Sequence, residues 1–157
     1  MLKNKIKLFG SDVDGTLTDS GMYYTEDGNE IKKFNTKDGL GIRLLKESNI
    51  LTLIISSENT KMVENRAKKL KVDYLYQGID NKLEIVKKLM NELNIDRNEF
   101  AYIGDDINDK ELLQYARIKA CPNDAVSEIK NINNILIMES KGGYGAVREF
   151  IDKYILV

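Results

Sequence analysis

The sequence contains no histidine and no tryptophan, and only one cysteine and one proline among 157 residues. Without histidine there can be no Ser-His-Asp triad, no His-x-x-x-His zinc site and no phosphohistidine, so any catalysis rests on carboxylates, hydroxyls and amines. A lone thiol, Cys121, excludes an internal disulfide and suits a reducing compartment. It is also a poor candidate nucleophile, because a phosphate-cradling cysteine loop wants an arginine six residues on and that position is Ser127. Long hydrophobic runs are missing too. The opening MLKNKIKLFGSD meets an acid after a few apolar residues, which fits neither a signal peptide nor a membrane span and points to the cytoplasm. Charge of one sign is equally lacking: 24 Lys and Arg face 25 Asp and Glu, so no overall field recruits nucleic acid or an acidic membrane, and an anionic ligand must be held locally.

With 42% apolar and 31% charged residues, the chain has the composition of a soluble globular protein and the length of one domain, residues 1–157. Five β-rich stretches, 5–11, 51–56, 72–77, 100–104 and 135–138, with a weaker one at 118–121, alternate with helical patterns such as Val63, Ala67, Leu70 and Ile85, Val86, Leu89, Leu93. That alternation predicts an α/β fold, a doubly wound parallel sheet with helices on both faces. Residues 21–34 break the pattern. Two strand-like runs flank Asp27-Gly28 there, which predicts a tight hairpin beside the first strand.

Ligands of open parallel sheets bind beyond the carboxyl ends of the strands. Those positions hold Asp12-Val13-Asp14-Gly15-Thr16, then Ser56-Ser57-Glu58, then a loop leading to Lys82, then Gly104-Asp105-Asp106-Ile107-Asn108-Asp109. So many carboxylates in one crevice repel unless a cation neutralises them, and oxygen ligands of this kind suit Mg2+, with Asp12 and Asp105 as its carboxylates. A carboxylate nucleophile, Asp12, could then attack a phosphate ester, with Asp14 moving the proton to and from the leaving oxygen. Ser56, beside backbone N–H groups at a helix start, could bind the phosphoryl oxygens, and Lys82 could supply positive charge. Asp109 could hold a metal-bound water or Lys82 from behind.

In this order and spacing, these four segments resemble the motifs of the haloacid dehalogenase-like phosphatases. The resemblance implies the same roles, with the backbone carbonyl of Asp14 joining Asp12 and Asp105 around the metal and Asp106 and Asp109 supporting them. It extends to one capless branch, the phosphatases of 3-deoxy-2-keto sugar acids, through Gly21-Met22-Tyr23-Tyr24, Gly28-Asn29-Glu30, Phe34 to Gly39, Arg66-Ala67, Gln77-Gly78 and the tail Gly142 to Glu149. The branch implies a homotetramer in which the hairpin flap joins subunits and neighbours close the active site. Where its eight-carbon enzymes usually carry Gly-Arg, this chain has Ser57-Glu58, a departure that looks like the enzymes of nine-carbon acid 9-phosphates such as deaminoneuraminate or N-acylneuraminate 9-phosphate. On that reading Glu58, Arg66 and Lys69 share one helix face against the substrate and Ser57 adjoins them; Arg148, in the Gly-rich tail, either reaches a neighbouring site or caps its own helix. The alternative substrate is 3-deoxy-D-manno-octulosonate 8-phosphate. A non-catalytic oligomerisation or binding module of the same fold is disfavoured by the presence of Asp12, Asp14, Lys82 and Asp105, and a phospho-accepting receiver domain by the Asp12-Val13-Asp14 order.

Overall fold

The computed structural model describes residues 6–157. Lys5, where the first expected strand begins, lies outside them. The chain runs through β1 (Leu8–Ser11), a hairpin of β2 (Tyr23–Tyr24) and β3 (Glu30–Ile31), α1 (Thr36–Glu47), β4 (Leu51–Ile55), α2 (Lys61–Leu70), β5 (Tyr74–Tyr76) and α3 (Lys82–Glu92). It continues through β6 (Phe100–Ile103), α4 (Lys110–Tyr115), β7 (Ile118–Cys121), α5 (Ser127–Lys130), β8 (Leu136–Ile137) and α6 (Ala146–Phe150), the last extended by a π-turn over Ile151–Ile155. Six strands form one sheet in the order β5-β4-β1-β6-β7-β8, and every pairing is parallel. All six strands lie within the stretches expected from sequence, most of them trimmed by a residue or more.

Side-chain alternation explains the two covered faces. In β6, Phe100 and Tyr102 point into one cluster with Val86, Leu89, Met90, Leu112, Leu113 and Ile129, from α3, α4 and α5. Ala101 and Ile103 point into the other, with Ile42, Leu45, Val63, Ala67, Leu70, Val147 and Phe150, from α1, α2 and α6. Each expected helical stripe therefore buries against one side of the sheet, Val63, Ala67 and Leu70 being the inner face of α2.

The topology fixes where the crevice must be. From β1 the chain winds outward through β4 to β5, then returns to β6 and winds the other way through β7 to β8. The carboxyl ends of the neighbours β1 and β6 thus feed connections that leave in opposite directions, which opens a gap between them. Beside it stands the hairpin, with Tyr23 opposite Ile31 and Tyr24 opposite Glu30, and a Thr18–Phe34 bridge at its base. Its turn is looser than a two-residue connection: Thr25 N–H donates to Asn29 O at 2.8 Å and Gly28 N–H to Thr25 O at 2.9 Å, enclosing Glu26–Gly28. Gly28 takes φ 88° there, a left-handed value suited to glycine in longer hairpin turns.

Candidate active site

Asp12 sits one residue beyond β1, where its N–H still donates to Ile103 O of β6 at 3.0 Å. That bond carries the ladder past the strand end and points the carboxylate into the gap. The chain then turns tightly, the N–H groups of Thr16, Leu17 and Thr18 all converging on Val13 O. Gly15 makes the turn possible at φ 85°, and a methyl group on it would overlap the Asp105 carboxylate, so glycine lets the β6 loop close onto the β1 loop. Thr16 Oγ1 donates to Asp105 Oδ1 at 3.3 Å across that contact. The Gly-rich tail supports it from below: Gly143 N–H donates to Thr16 O at 3.1 Å, and a side chain at Gly142 would strike Gly15 O.

Lys82 is the first residue of α3, which Asn81 caps, yet its side chain is only 1% exposed. Its Nζ lies 2.7 Å from Asp12 Oδ1 and 2.8 Å from Asp109 Oδ1. Asp109, fully buried, is saturated: Oδ1 also accepts from Tyr102 Oη at 2.6 Å, and Oδ2 accepts the N–H groups of Asp105 at 3.0 Å and Asp106 at 3.3 Å. Four donors leave it little capacity for anything else, so Asp109 fixes the Asp105 loop and Lys82 in place. Tyr102 escaped the sequence reading. Its signal is alternation in β6, which puts residue 102 on the same face as the helix of Lys82.

Carboxylate oxygens of Asp12, Asp105 and Asp109 all lie within 4.8 Å of one another. One ammonium for three carboxylates leaves an excess of negative charge, and the ionisation of the group reflects it. Burial, joined by the charge of Asp109, raises the Asp12 carboxyl well above the ordinary range, with Lys82 opposing. Burial likewise pushes Asp105 up to about 7, the bond from Asp12 opposing and the charge of Asp109 adding. Burial alone would lower Lys82, but the charges of Asp12 and Asp109 outweigh it and raise the ammonium above its usual value. A second cation against Asp12 and Asp105 would restore the balance, and an all-oxygen donor set fits a hard one.

Asp12, Asp14, Ser56, Ser57, Glu58, Asp106 and Asn108 line an open cleft of about 270 Å3 over this cluster. A larger hollow of about 530 Å3 lies beyond Lys82, between α3 and α4, but the candidate residues Asp12, Asp14 and Ser56 meet in the smaller one. Ser57 Oγ accepts from Asn108 Nδ2 at 3.0 Å, tying two walls together. Cys121 is buried elsewhere, its thiol pushed up to about 11 by burial, which leaves it protonated and inert.

Two expectations need correction. Ser56 is not at a helix start: α2 begins at Lys61 with Thr60 as its cap, and the intervening loop is tied to the β5 exit by Gly78 N–H to Glu58 O and Ile79 N–H to Ser56 O. Its hydroxyl instead accepts Glu58 N–H at 3.2 Å. For the same reason Glu58, Arg66 and Lys69 do not share a helix face, since Glu58 precedes the helix. Glu58 lines the cleft; Arg66 turns to Asn35 O at 3.3 Å and the Phe34 ring, and the exposed Lys69 borders a separate hollow with Arg43, Lys46 and Glu47. Arg148 lies outside this chain's cleft, its Nε donating to both Asp152 oxygens at 2.9 and 2.8 Å. A further residue was missed: Lys32, from the hairpin, bridges Asp14 at 2.6 Å and Glu58 at 3.0 Å.

The sequence pattern of the haloacid dehalogenase-like hydrolases matches residues 74–151. The 3-deoxy-D-manno-octulosonate 8-phosphate phosphatase of Salmonella typhi is 37% identical, over 96% of this chain and 80% of its own. The chain belongs to the haloacid dehalogenase-like hydrolases. Within that family it is a phosphatase. Among solved structures, the 3-deoxy-D-manno-octulosonate 8-phosphate phosphatase of Moraxella catarrhalis, in complex with magnesium ion, phosphate ion and KDO, superposes with a TM-score of 0.90 at 37% identity, covering 96% of this hydrolase and 86% of that chain. The corresponding Yersinia pestis enzyme gives 0.90 at 36% identity, covering 96% and 80%. These relatives carry the name of the eight-carbon substrate and give no support to the nine-carbon expectation drawn from Glu58.

Proposed function

We propose that this hydrolase is a magnesium-dependent phosphatase of 3-deoxy-D-manno-octulosonate 8-phosphate, acting through an aspartyl-phosphate formed on Asp12. The observation that carries the reading is the placement of Asp12: buried at the β1–β6 gap, bonded to Lys82, within reach of Asp105, and open to the cleft. Relatives of this name align with 96% of the chain, which supports the eight-carbon acid.

In this mechanism an Asp12 carboxylate oxygen attacks phosphorus, and the bond from phosphorus to the sugar oxygen breaks. Asp14 gives its proton to that leaving oxygen. Asp14 then takes a proton from the water that attacks the aspartyl-phosphate, the phosphorus–Asp12 bond breaks, and phosphate departs. The sum is ester plus water to alcohol plus phosphate. Ser56 faces the transferring group, and Lys82 holds Asp12 while offering it a compensating charge. Asp12, Asp105 and the backbone carbonyl of Asp14 would hold Mg2+, with Asp106 and Asp109 fixing that loop. When bound, the ion neutralises charge on the phosphate and the carboxylates.

Residues 1–157 act, on this reading, as one phosphatase unit with the hairpin as its flap, working in the cytoplasm; among the described residues no helix is long and apolar enough to cross a membrane. Met22, Tyr24 and Ile31 on the hairpin, 57%, 62% and 52% exposed, support burial against other copies in a homotetramer. Arg66, Lys69 and Arg148, outside their own cleft, would contact substrate only as the neighbour of another site.

The test compares kcat/KM for 3-deoxy-D-manno-octulosonate 8-phosphate and deaminoneuraminate 9-phosphate with Mg2+. The expected preference for the eight-carbon ester is at least about tenfold, a difference a few contacts supply. A reversed preference overturns the substrate, and no phosphate release from either overturns the activity.

A further inference from the structure

The cleft lining contains four carboxylates, those of Asp12, Asp14, Glu58 and Asp106, and no lysine or arginine. Its proposed ligand is itself anionic. Lys82 compensates the floor from below, at Asp12 and Asp109. On the outer side the only cation bonded to a lining carboxylate, among the described residues, is Lys32.

Lys32 follows β3 on a hairpin whose other side chains are largely exposed, yet its own side chain is only 3% exposed. An ammonium has three protons to give, and the three directions of this one meet Asp14 Oδ1 at 2.6 Å, Glu58 Oε2 at 3.0 Å and Glu30 Oε1 at 3.5 Å. A solvated surface pair contributes little because two long side chains must be held still in water. Here the lysine side chain is already covered, although Asp14 and Glu58 stay 38% and 49% exposed, and these two partners come from two segments outside the hairpin. The consequence for Asp14 is an asymmetry. Oδ1 is held by Lys32, while Oδ2 has no partner among the described residues, on a side chain that lines the cleft.

We propose that Lys32 is a positioning residue for the proton-transfer step. By clamping Asp14 Oδ1 and joining it to Glu58, it keeps Oδ2 turned to the oxygen that leaves with the sugar and makes the hairpin a part of its own chain's active site. This rests on the role of Asp14 in the phosphatase reading above. Lys32 itself gives and takes no proton.

Leaving-group dependence separates this role from a general loss of structure. An alkyl ester such as the sugar-acid phosphate needs a proton on its departing oxygen, whereas p-nitrophenyl phosphate releases a stable phenolate and needs far less help. With Mg2+ present, Lys32→Met should lower kcat on the sugar-acid phosphate roughly tenfold to a hundredfold, the scale of a misplaced acid–base group, with KM moving less than about threefold. The same variant should lose several-fold less on p-nitrophenyl phosphate. Lys32→Arg should recover most of the alkyl-ester kcat, and Asp14→Asn should show the same selective profile with a larger amplitude. If Lys32→Met is unfolded by circular dichroism, Lys32→Gln is measured in its place against the same expectation. Equal losses on both esters, or a loss confined to KM, overturn the proposal. Wild-type protein that cleaves neither ester overturns the phosphatase reading and this role with it, while wild-type activity on both esters with no selective loss in the variants overturns this role alone.

Discussion

The floor of the site and the hairpin beside it are built on opposite plans. On the floor, Asp12, Lys82, Tyr102 and Asp109 are buried, come from four separate segments, and bond one another within 2.6 to 2.8 Å. The hairpin has two residue pairs, a connection of five residues and exposed apolar side chains. Buried charge has no water to fall back on, so each partner on the floor is obligatory and its removal is costly. An exposed ribbon of that length gains little from its own pairing and must take its order from what it touches. The floor therefore suits chemistry that needs fixed atoms, while the hairpin can contribute through a single anchored side chain and through contacts outside the chain.

The largest break in this comparison is Asp12→Asn. The amide keeps the shape but is no nucleophile, and turnover should fall by at least about a thousandfold, measured as phosphate release. Comparable residual activity would remove Asp12 from its role. Next is Lys82→Met, which leaves Asp12 and Asp109 facing each other without a counter-charge. Breaking a buried pair in this way costs about 3–5 kcal/mol, so thermal unfolding should shift down by many degrees, and Mg2+ should recover part of the loss by supplying charge at Asp12. A shift of only a degree or two would mean that the ammonium is not what holds the floor together.

Much of this contrast was legible in the sequence. Strand ends, alternation and helical stripes follow from local periodicity, and placing Asp12, Ser56, Lys82 and Asp105 near one another needs only the rule that parallel strands present their carboxyl ends together. What escaped reading depended on tertiary path. Helix spacing does not extend to Glu58, because the capping Thr60, two residues further on, sets the start of α2. Arg66 lies on the expected helix, but the close approach of α1, where a methyl at Gly39 would strike the Arg66 guanidinium, turns it to Asn35. Lys32 sits in a charged hairpin where sequence shows only a solvated lysine, and its partners are 18 and 26 residues away.

A subtler test of the floor uses pH. Asp105 rises from an ordinary 3.8 to about 7 in the folded chain without metal, so between these values the folded form holds a proton that the unfolded form has lost. Its contribution to stability is present below about pH 4 and is lost as pH rises through about 7. Buried Asp12 shifts in the same direction. Metal-free protein should therefore lose stability across that window, and the rise in Tm on adding Mg2+ should be larger at pH 8 than at pH 5.5. A gain independent of pH would detach the ion from these two carboxylates.

The smallest expected effect on the chain itself is at the hairpin, and it sharpens the comparison most. Ile31→Asp places a charge on an exposed side chain that stands opposite Tyr23 in the hairpin, so the folded chain should lose no more than about 0.5 kcal/mol. If hairpins pack against one another in a tetramer, the same charge becomes a buried, unpaired one at each contact. Light scattering should then move from about four times the 17.9 kDa chain mass toward that of the single chain. An unchanged assembly would put the subunit contact elsewhere. Turnover of p-nitrophenyl phosphate should survive in the separated chains to the extent that the floor is self-sufficient, because Asp12, Asp14, Lys82, Asp105 and the clamp from Lys32 all come from one chain. The sugar-acid ester should suffer more, since Arg66, Lys69 and Arg148 could reach it only from a neighbour. Equal losses on the two esters would mean that the neighbour supports the floor itself.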